Sequence, residues 1–359
     1  MRLVSIMYLI ILLQSTVGGV YRVCNGNENQ CISIGLSKKN TDAVKGILAV
    51  AVLLSHLAGH TSYHLLFFSF TVFGPIGVGC FFFLSGYGLI KASRGKNYFE
   101  GYVGRHMLKL FMPFCTMLIL WLIVFQVLLN EPLSSLLYSF ATGNPVSNSW
   151  YIFASLYCYL LFWVTQNQPF WRIQCIVLVG LVIWAFLFAF VLAWPDWWYK
   201  TIICFYVGIV WGKSCQKISG FIRHNYILLV ILSIIAVFAA YTLPAWAGKM
   251  FSGKLLWLMN DMAMALSGVI FMVFILERVC VRNTLTVFWG KISFYIYLLH
   301  GLVMRLADII IPGWGSAETS MLKQELISVS VISVTIILSL IMTIVTDRIR
   351  LYMRLKRVH

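Results

Sequence analysis

Apolar runs about twenty residues long recur from one end of this chain to the other, separated by short polar turns. A helix rises 1.5 Å per residue, so roughly 20 apolar residues carry it across the hydrocarbon of a bilayer. Ten such runs can be marked: 42–60, 72–91, 107–129, 149–165, 173–194, 200–212, 225–244, 255–277, 287–309 and 324–346. The sixth is short and borrows from the "DWWY" before it. The fold class this predicts is all-α: a polytopic transmembrane helix bundle of about ten spans, plus an extra N-terminal hydrophobic helix. Composition agrees, with 61% of residues hydrophobic and 11% charged, where soluble domains carry roughly 25% charged. The longest polar intervals, 21–41 and 130–148, are too small for a core of their own. Any chemistry therefore takes place inside the bundle or at its mouths.

The formal net charge is +16. No nucleic-acid-binding motif interrupts the apolar pattern, and loops on the cytoplasmic side account for the excess of Lys and Arg. With the segment before the first span inside and the spans alternating, 21 of the 27 lysines and arginines fall inside. Five (Lys200, Lys249, Lys254, Arg305 and Lys323) fall outside, and Arg2 stays unassigned. Trp and Tyr gather in outer turns such as "AWPDWWYK", as interfacial belts do.

The first twenty residues have two readings. Their thin basic start, apolar centre and small residues are those of a signal peptide, whose removal would put residues 21–40 outside and invert every span, against the charge count. The other reading is a retained helix that crosses or lies on the membrane. It divides the chain into residues 1–35 (N-terminal helix and polar loop), 36–350 (the membrane domain) and 351–359 (a basic cytoplasmic tail). Most of the nine cysteines sit in apolar runs and behave as small core residues. Cys24 and Cys31 flank a polar stretch and would pair in an oxidising compartment. No metal-ligand spacing stands out.

Ionisable side chains inside a span are costly and mark function by default. In "VKGILAVAVLLSH", Lys45 and His56 are eleven residues apart. Eleven residues turn a helix through about 1100°, so both side chains lie on one stripe, about 16 Å apart along the axis. Either that stripe lines a cavity, or Lys45 snorkels to the inner headgroups and His56 rests at the outer interface. His60 and His64, just beyond, read as outer-loop residues. Asp261 lies in the outer half of its span and needs a cation, a proton or a hydrated cavity. Arg305 and Asp308 are spaced to pair on a helix surface, five and eight residues after His300. Arg105 and Lys109 share one helix face at the inner surface, where they set orientation or clamp an arriving anion such as a phosphate. Gly74, Gly77 and Gly79 permit close helix packing, and Ser85 with Gly86 breaks the same run. Ser85 would be an acyl nucleophile only with a base beside it, and none is evident. Asn148 or Ser149 is placed to cap the fourth span. Trp150, next to them, reads as a belt residue or part of a site.

Five stretches, "TDAVKGILAVAVLLSH", "FFFLSGYGLIK", "RHMLKLFMP", "SWYIFASLY" and "KISFYIYLLHG", occur in an order that resembles acyltransferase family 3, over about Leu36 to Arg350. The family signature is a basic residue, ten residues, then histidine in the first family helix; here these are Lys45 and His56. The resemblance implies an integral membrane O-acyltransferase of a bacterial cytoplasmic membrane. Such an enzyme takes an acyl group, commonly acetyl from acetyl-CoA, on the cytosolic side and places it on a hydroxyl of an extracytoplasmic polysaccharide or glycolipid. It also implies His56 as the catalytic base, Lys45 as its basic partner, and Arg105 and Lys109 toward the donor's phosphates, although the family often has a denser arginine cluster there. Ser85, Trp150, Asp261 and His300 complete the candidate substrate-binding set. The expected partners are acyl-CoA as co-substrate, the polysaccharide or glycolipid acceptor and the lipid bilayer; no cofactor, metal or nucleic acid is expected. The chemistry suits an imidazole, whose ordinary pKa near 6.5 lets it take a hydroxyl proton at neutral pH. The competing function class is a transporter or flippase for a lipid-linked sugar, or a polysaccharide-export protein, which also needs a polar cavity with basic rims. A structural scaffold gives no reason for aligning Lys45 with His56.

Overall fold

The computed structural model describes residues 21–22, 35–61, 71–95, 97–143, 148–248 and 253–355. The expected N-terminal helix, Cys24, Cys31 and His64 lie outside the described residues. Ten long helices coincide with the ten apolar runs, and one short helix is added. They are α1 (Lys38–His60), α2 (Phe73–Ala92), α3 (Tyr102–Trp121), the short α4 (Leu133–Ala141), α5 (Trp150–Val164) and α6 (Phe170–Phe186). They continue with α7 (Ile203–His224), α8 (Tyr226–Ala247), α9 (Lys254–Arg278), α10 (Thr284–Ile310) and α11 (Met321–Leu355). Eight of these are long and apolar enough to cross a bilayer. Two of the eight continue as a wider π-helical segment, α3 over Leu122–Leu128 and α6 over Leu187–Val191. The apolar α5 has only 15 residues, and α7 carries Lys213, Lys217 and Arg223 in its second half, which is why its run looked short. α4 lies in an interval that read as polar. Its Leu133, Leu137 and Tyr138 are exposed and its Leu136 is buried, the pattern of a helix lying along a membrane surface.

The closest helix pairs are α2 with α7 and α1 with α10, and α1 and α9 also pack on α2. Without a hydrophobic gain between helices in lipid, close backbone approach carries the association. A Cβ at Gly208 would stand 2.1 Å from the Phe83 carbonyl oxygen, and one at Gly86 2.2 Å from that of Phe205. α2 and α7 thus each present a glycine to the other's backbone. Gly46 and Gly290 do the same for α1 and α10, with a Cβ on Gly290 falling 2.3 Å from the Asp42 oxygen. Gly74 and Gly77 face Ser55 and Val52 of α1, as the small-residue reading anticipated.

Contacts between helix ends separate the basic residues as the charge count did. At one end Arg94 donates to the Gly212 carbonyl, Arg278 to that of Arg223 and Arg350 to that of Lys109. Asn40 ties the start of α1 to the α9–α10 connection: its amide donates to the Gly35 carbonyl (2.6 Å) and its oxygen accepts from the Val281 N–H (2.9 Å). Tyr21–Arg22 pairs antiparallel with Val279–Cys280 at that end. At the opposite end are Lys200, Arg305 and Lys254, the last donating to the Ala189 carbonyl.

Candidate active site

The opposite end holds a cavity of about 470 Å³ between the last turns of α1, the start of α2, the start of α5, the 197–201 turn and α10. His56 is exposed in its wall. Helical geometry puts it there: Leu53, Leu57 and Ala58 take the packed face of α1 and are fully buried, which leaves the ring pointing across the bundle. Trp150, Trp197 and Tyr297 give the wall its aromatic surface, and Lys200 and Asn148 give it polar groups.

The His56 ring rests on His300, with centroids 4.8 Å apart. His300 has no exposed surface, so it backs His56 and does not line the cavity. Its tautomer follows from its partners. Nδ1 lies 3.0 Å from the Ile296 carbonyl, which only accepts, so Nδ1 carries the proton. Nε2 lies 2.9 Å from the Asn148 Nδ2, which only donates, so Nε2 accepts. The same Nδ2 is 3.3 Å from the Tyr297 carbonyl. Turning the Asn148 amide over would set two carbonyl oxygens against each other, which fixes its orientation too. Asn148 therefore spends its side chain on α10, and neither it nor Ser149 caps α5, contrary to the sequence reading.

Asp261 finds its cation in Lys200. The Lys200 ammonium lies 2.8 Å from Asp196 and 3.4 Å from Asp261. Read along the sequence, Lys200 was one of five outer-loop charges; folded, it stands in the cavity wall. The turn that carries it is held by aromatic packing: Trp198 stacks on Phe188 at 4.9 Å and its indole N–H donates to the Gly143 carbonyl (2.7 Å).

From this cavity a line of hydroxyls and imidazoles descends through the bundle. Tyr151 packs on Tyr297 at 5.0 Å. The Ser85 hydroxyl lies close to the phenols of both Tyr151 and Tyr159, and Tyr159 stands edge-on to His106 at 5.5 Å. His106 meets the Tyr98 phenol at 3.2 Å. Burial, with Tyr159 close by, pushes that phenol up to about 12, with Arg105 opposing the shift. Tyr98 thus stays protonated. Arg105 donates to the Tyr98 carbonyl at 2.5 Å. Lys109 is exposed one turn on, within electrostatic reach of Lys38, Lys45 and Arg350.

The structure therefore brings His56, His300, Trp150 and, through Lys200, Asp261 to one place. Ser85 sits midway down the bundle, and Arg105, Lys109 and Lys45 at the far end. Lys45 does not share the cavity. It pairs with Asp42 at 3.2 Å, and Ala49, Val52 and Leu53, packed with at most 1% exposure, separate it from His56. A common stripe was not a common passage, because α2 and α10 close over the middle of α1. Two further expectations are corrected. Arg305 pairs with Glu131 (2.8 Å) and stacks on Phe125, not with Asp308. Asp308 instead meets His60 Nε2 at 2.7 Å, and that ring packs on Trp314, so His60 ends α1 and is no loop residue.

A family model described as an acyltransferase domain matches residues 39–346, nearly the whole helical bundle. The chain belongs to acyltransferase family 3. No curated protein and no solved structure shows significant similarity to it. The bundle is thus that of a multi-pass membrane acyltransferase, which requires an acyl donor, an acceptor and the bilayer. Within such an acyltransferase, a histidine exposed in an internal cavity and a separate cationic end are the two features that need a chemical account.

Proposed function

We propose that this acyltransferase moves an acyl group, acetyl in the first instance, from cytosolic acyl-CoA to a hydroxyl of an extracytoplasmic polysaccharide or glycolipid, with His56 as general base. The observation that carries the reading is the His56 ring open to a cavity whose wall also carries Trp150, Trp197 and Tyr297. Flat aromatic faces suit the apolar faces of a sugar ring, and a neutral imidazole suits its hydroxyl. Arg105 and Lys109, at the basic end, hold the donor's phosphates. An extended arm then passes Tyr159, Ser85 and Tyr151, whose hydroxyls satisfy its amides along the way.

The chemistry balances without a cofactor. The hydroxyl oxygen attacks the thioester carbonyl carbon as His56 takes its proton. The carbon–sulfur bond then breaks, the ester remains on the acceptor, and the departing thiolate takes the proton back from His56. The membrane is a bacterial cytoplasmic membrane in this reading. The test is purified protein with radiolabelled acetyl-CoA and surface polysaccharide extracted from the source cells. Label appears on the polysaccharide with the wild type and is lost in His56→Ala. Sugar crossing the membrane without acyl consumption, indifferent to His56, would overturn the reading in favour of a carrier.

A further inference from the structure

The mechanism just given leaves one charged group of the cavity unused. Lys200 shares the cavity wall with His56, yet Asp196 and Asp261, which hold it, are not among the wall residues. The cavity therefore meets Lys200 itself and not the two carboxylates that hold its ammonium. An ammonium has three N–H donors. Two ion pairs occupy two of them, at 2.8 and 3.4 Å, which leaves a third. Its position is tightly set, with the side chain only 18% exposed. Lys200 also lies within electrostatic reach of the His56 ring.

We infer that Lys200 is the oxyanion site of the acyl transfer, donating to the thioester carbonyl oxygen while His56 takes the acceptor's proton. The inference rests on the acyltransferase reading above. As the acceptor oxygen bonds to the carbonyl carbon, the π pair moves onto the carbonyl oxygen, and the Lys200 N–H holds the resulting negative charge. When the pair returns, the carbon–sulfur bond breaks and the thiolate leaves with the proton from His56. Asp196 and Asp261 are positioning residues in this scheme. They fix the ammonium against a cavity wall that would otherwise leave a long flexible side chain to wander.

The experiment is steady-state kinetics of the reconstituted full chain with radiolabelled acetyl-CoA and the extracted polysaccharide. Removing one oxyanion donor costs on the order of 10²–10³ in kcat. Lys200→Met is expected to lower kcat by that much, with KM for both substrates within about threefold of wild type. Lys200→Arg is expected to retain more activity than Lys200→Met. Lys200→Met leaves two carboxylates unpaired, so the charge-balanced pair Lys200→Met with Asp261→Asn guards against simple misfolding. It is expected to recover thermal stability but not kcat. Recovery of kcat in that pair overturns the inference in favour of a structural role. An unchanged kcat with a raised acceptor KM overturns it in favour of a binding role for an acidic sugar. If wild type transfers label, His56→Ala does not, and Lys200→Met is as fast as wild type, only this inference falls. If the wild type transfers no label, both fall.

Discussion

The His300–Asn148 hydrogen bond can be tested as a pair. Asn148→Ala removes the donor to His300 Nε2, which lies 2.9 Å away in a fully buried site. A buried acceptor left without a partner costs about 1–3 kcal/mol. His300→Phe keeps the ring but removes the acceptor, and the Asn148 amide retains the Tyr297 carbonyl at 3.3 Å. Its own penalty is therefore smaller, about 1 kcal/mol. With both residues replaced, the orphaned nitrogen no longer exists. The double mutant is expected to be more stable than the sum of the singles predicts by about 1–2 kcal/mol, read from reversible SDS unfolding in mixed micelles. Activity supplies a second reading. His300 backs the His56 ring at 4.8 Å, and displacement of a reacting group by a fraction of an ångström costs roughly tenfold or more in rate. Each single is expected to lower kcat about tenfold, and the double no more than the worse single, since the two act as one unit. Penalties that add to within about 0.5 kcal/mol would refute the tautomer argument.

Two other outcomes follow from the fold and the basic end. Gly208→Ala sets a methyl against the Phe83 carbonyl and is expected to destabilise the bundle by about 1–3 kcal/mol; Gly220→Ala, which meets nothing within 4 Å, is expected to leave the unfolding midpoint in place. Arg105→Ala and Lys109→Ala are each expected to raise KM for acetyl-CoA about three- to tenfold at low salt, with kcat held and the difference shrinking as ionic strength rises.

Much of the architecture is legible in the order of residues, because a bilayer permits few solutions. The apolar runs locate the ten long helices, and the lysines and arginines sort to the ends on which the fold groups them. His56 and Trp150 are also legible, since an ionisable group in a span and a tryptophan at its mouth are conspicuous locally. What escapes is whatever depends on a distant partner. Lys200 looks like a loop charge until Asp261, 61 residues away, is folded against it. Asn148 looks like a helix cap until His300, 152 residues on, claims its amide. His60 and Asp308 are 248 apart, whereas Arg305 and Asp308 are near neighbours in sequence and do not pair. Lys45 shows the limit of periodicity itself. Helical spacing correctly sets it on the stripe of His56, but which helices cover that stripe depends on glycines at 46, 77 and 290, and their partners are not written in α1.

The most direct measurement is sided. Proteoliposomes carrying the protein in one orientation receive labelled acetyl-CoA on the face bearing Arg105 and Lys109, with acceptor polysaccharide confined to the other face. Label bound to the polysaccharide, dependent on His56 and undiminished by a hydrolase that destroys any free acetyl-CoA reaching the acceptor side, is the predicted result. Label that appears only when donor and acceptor share one face would contradict a thioester meeting its hydroxyl within the bundle.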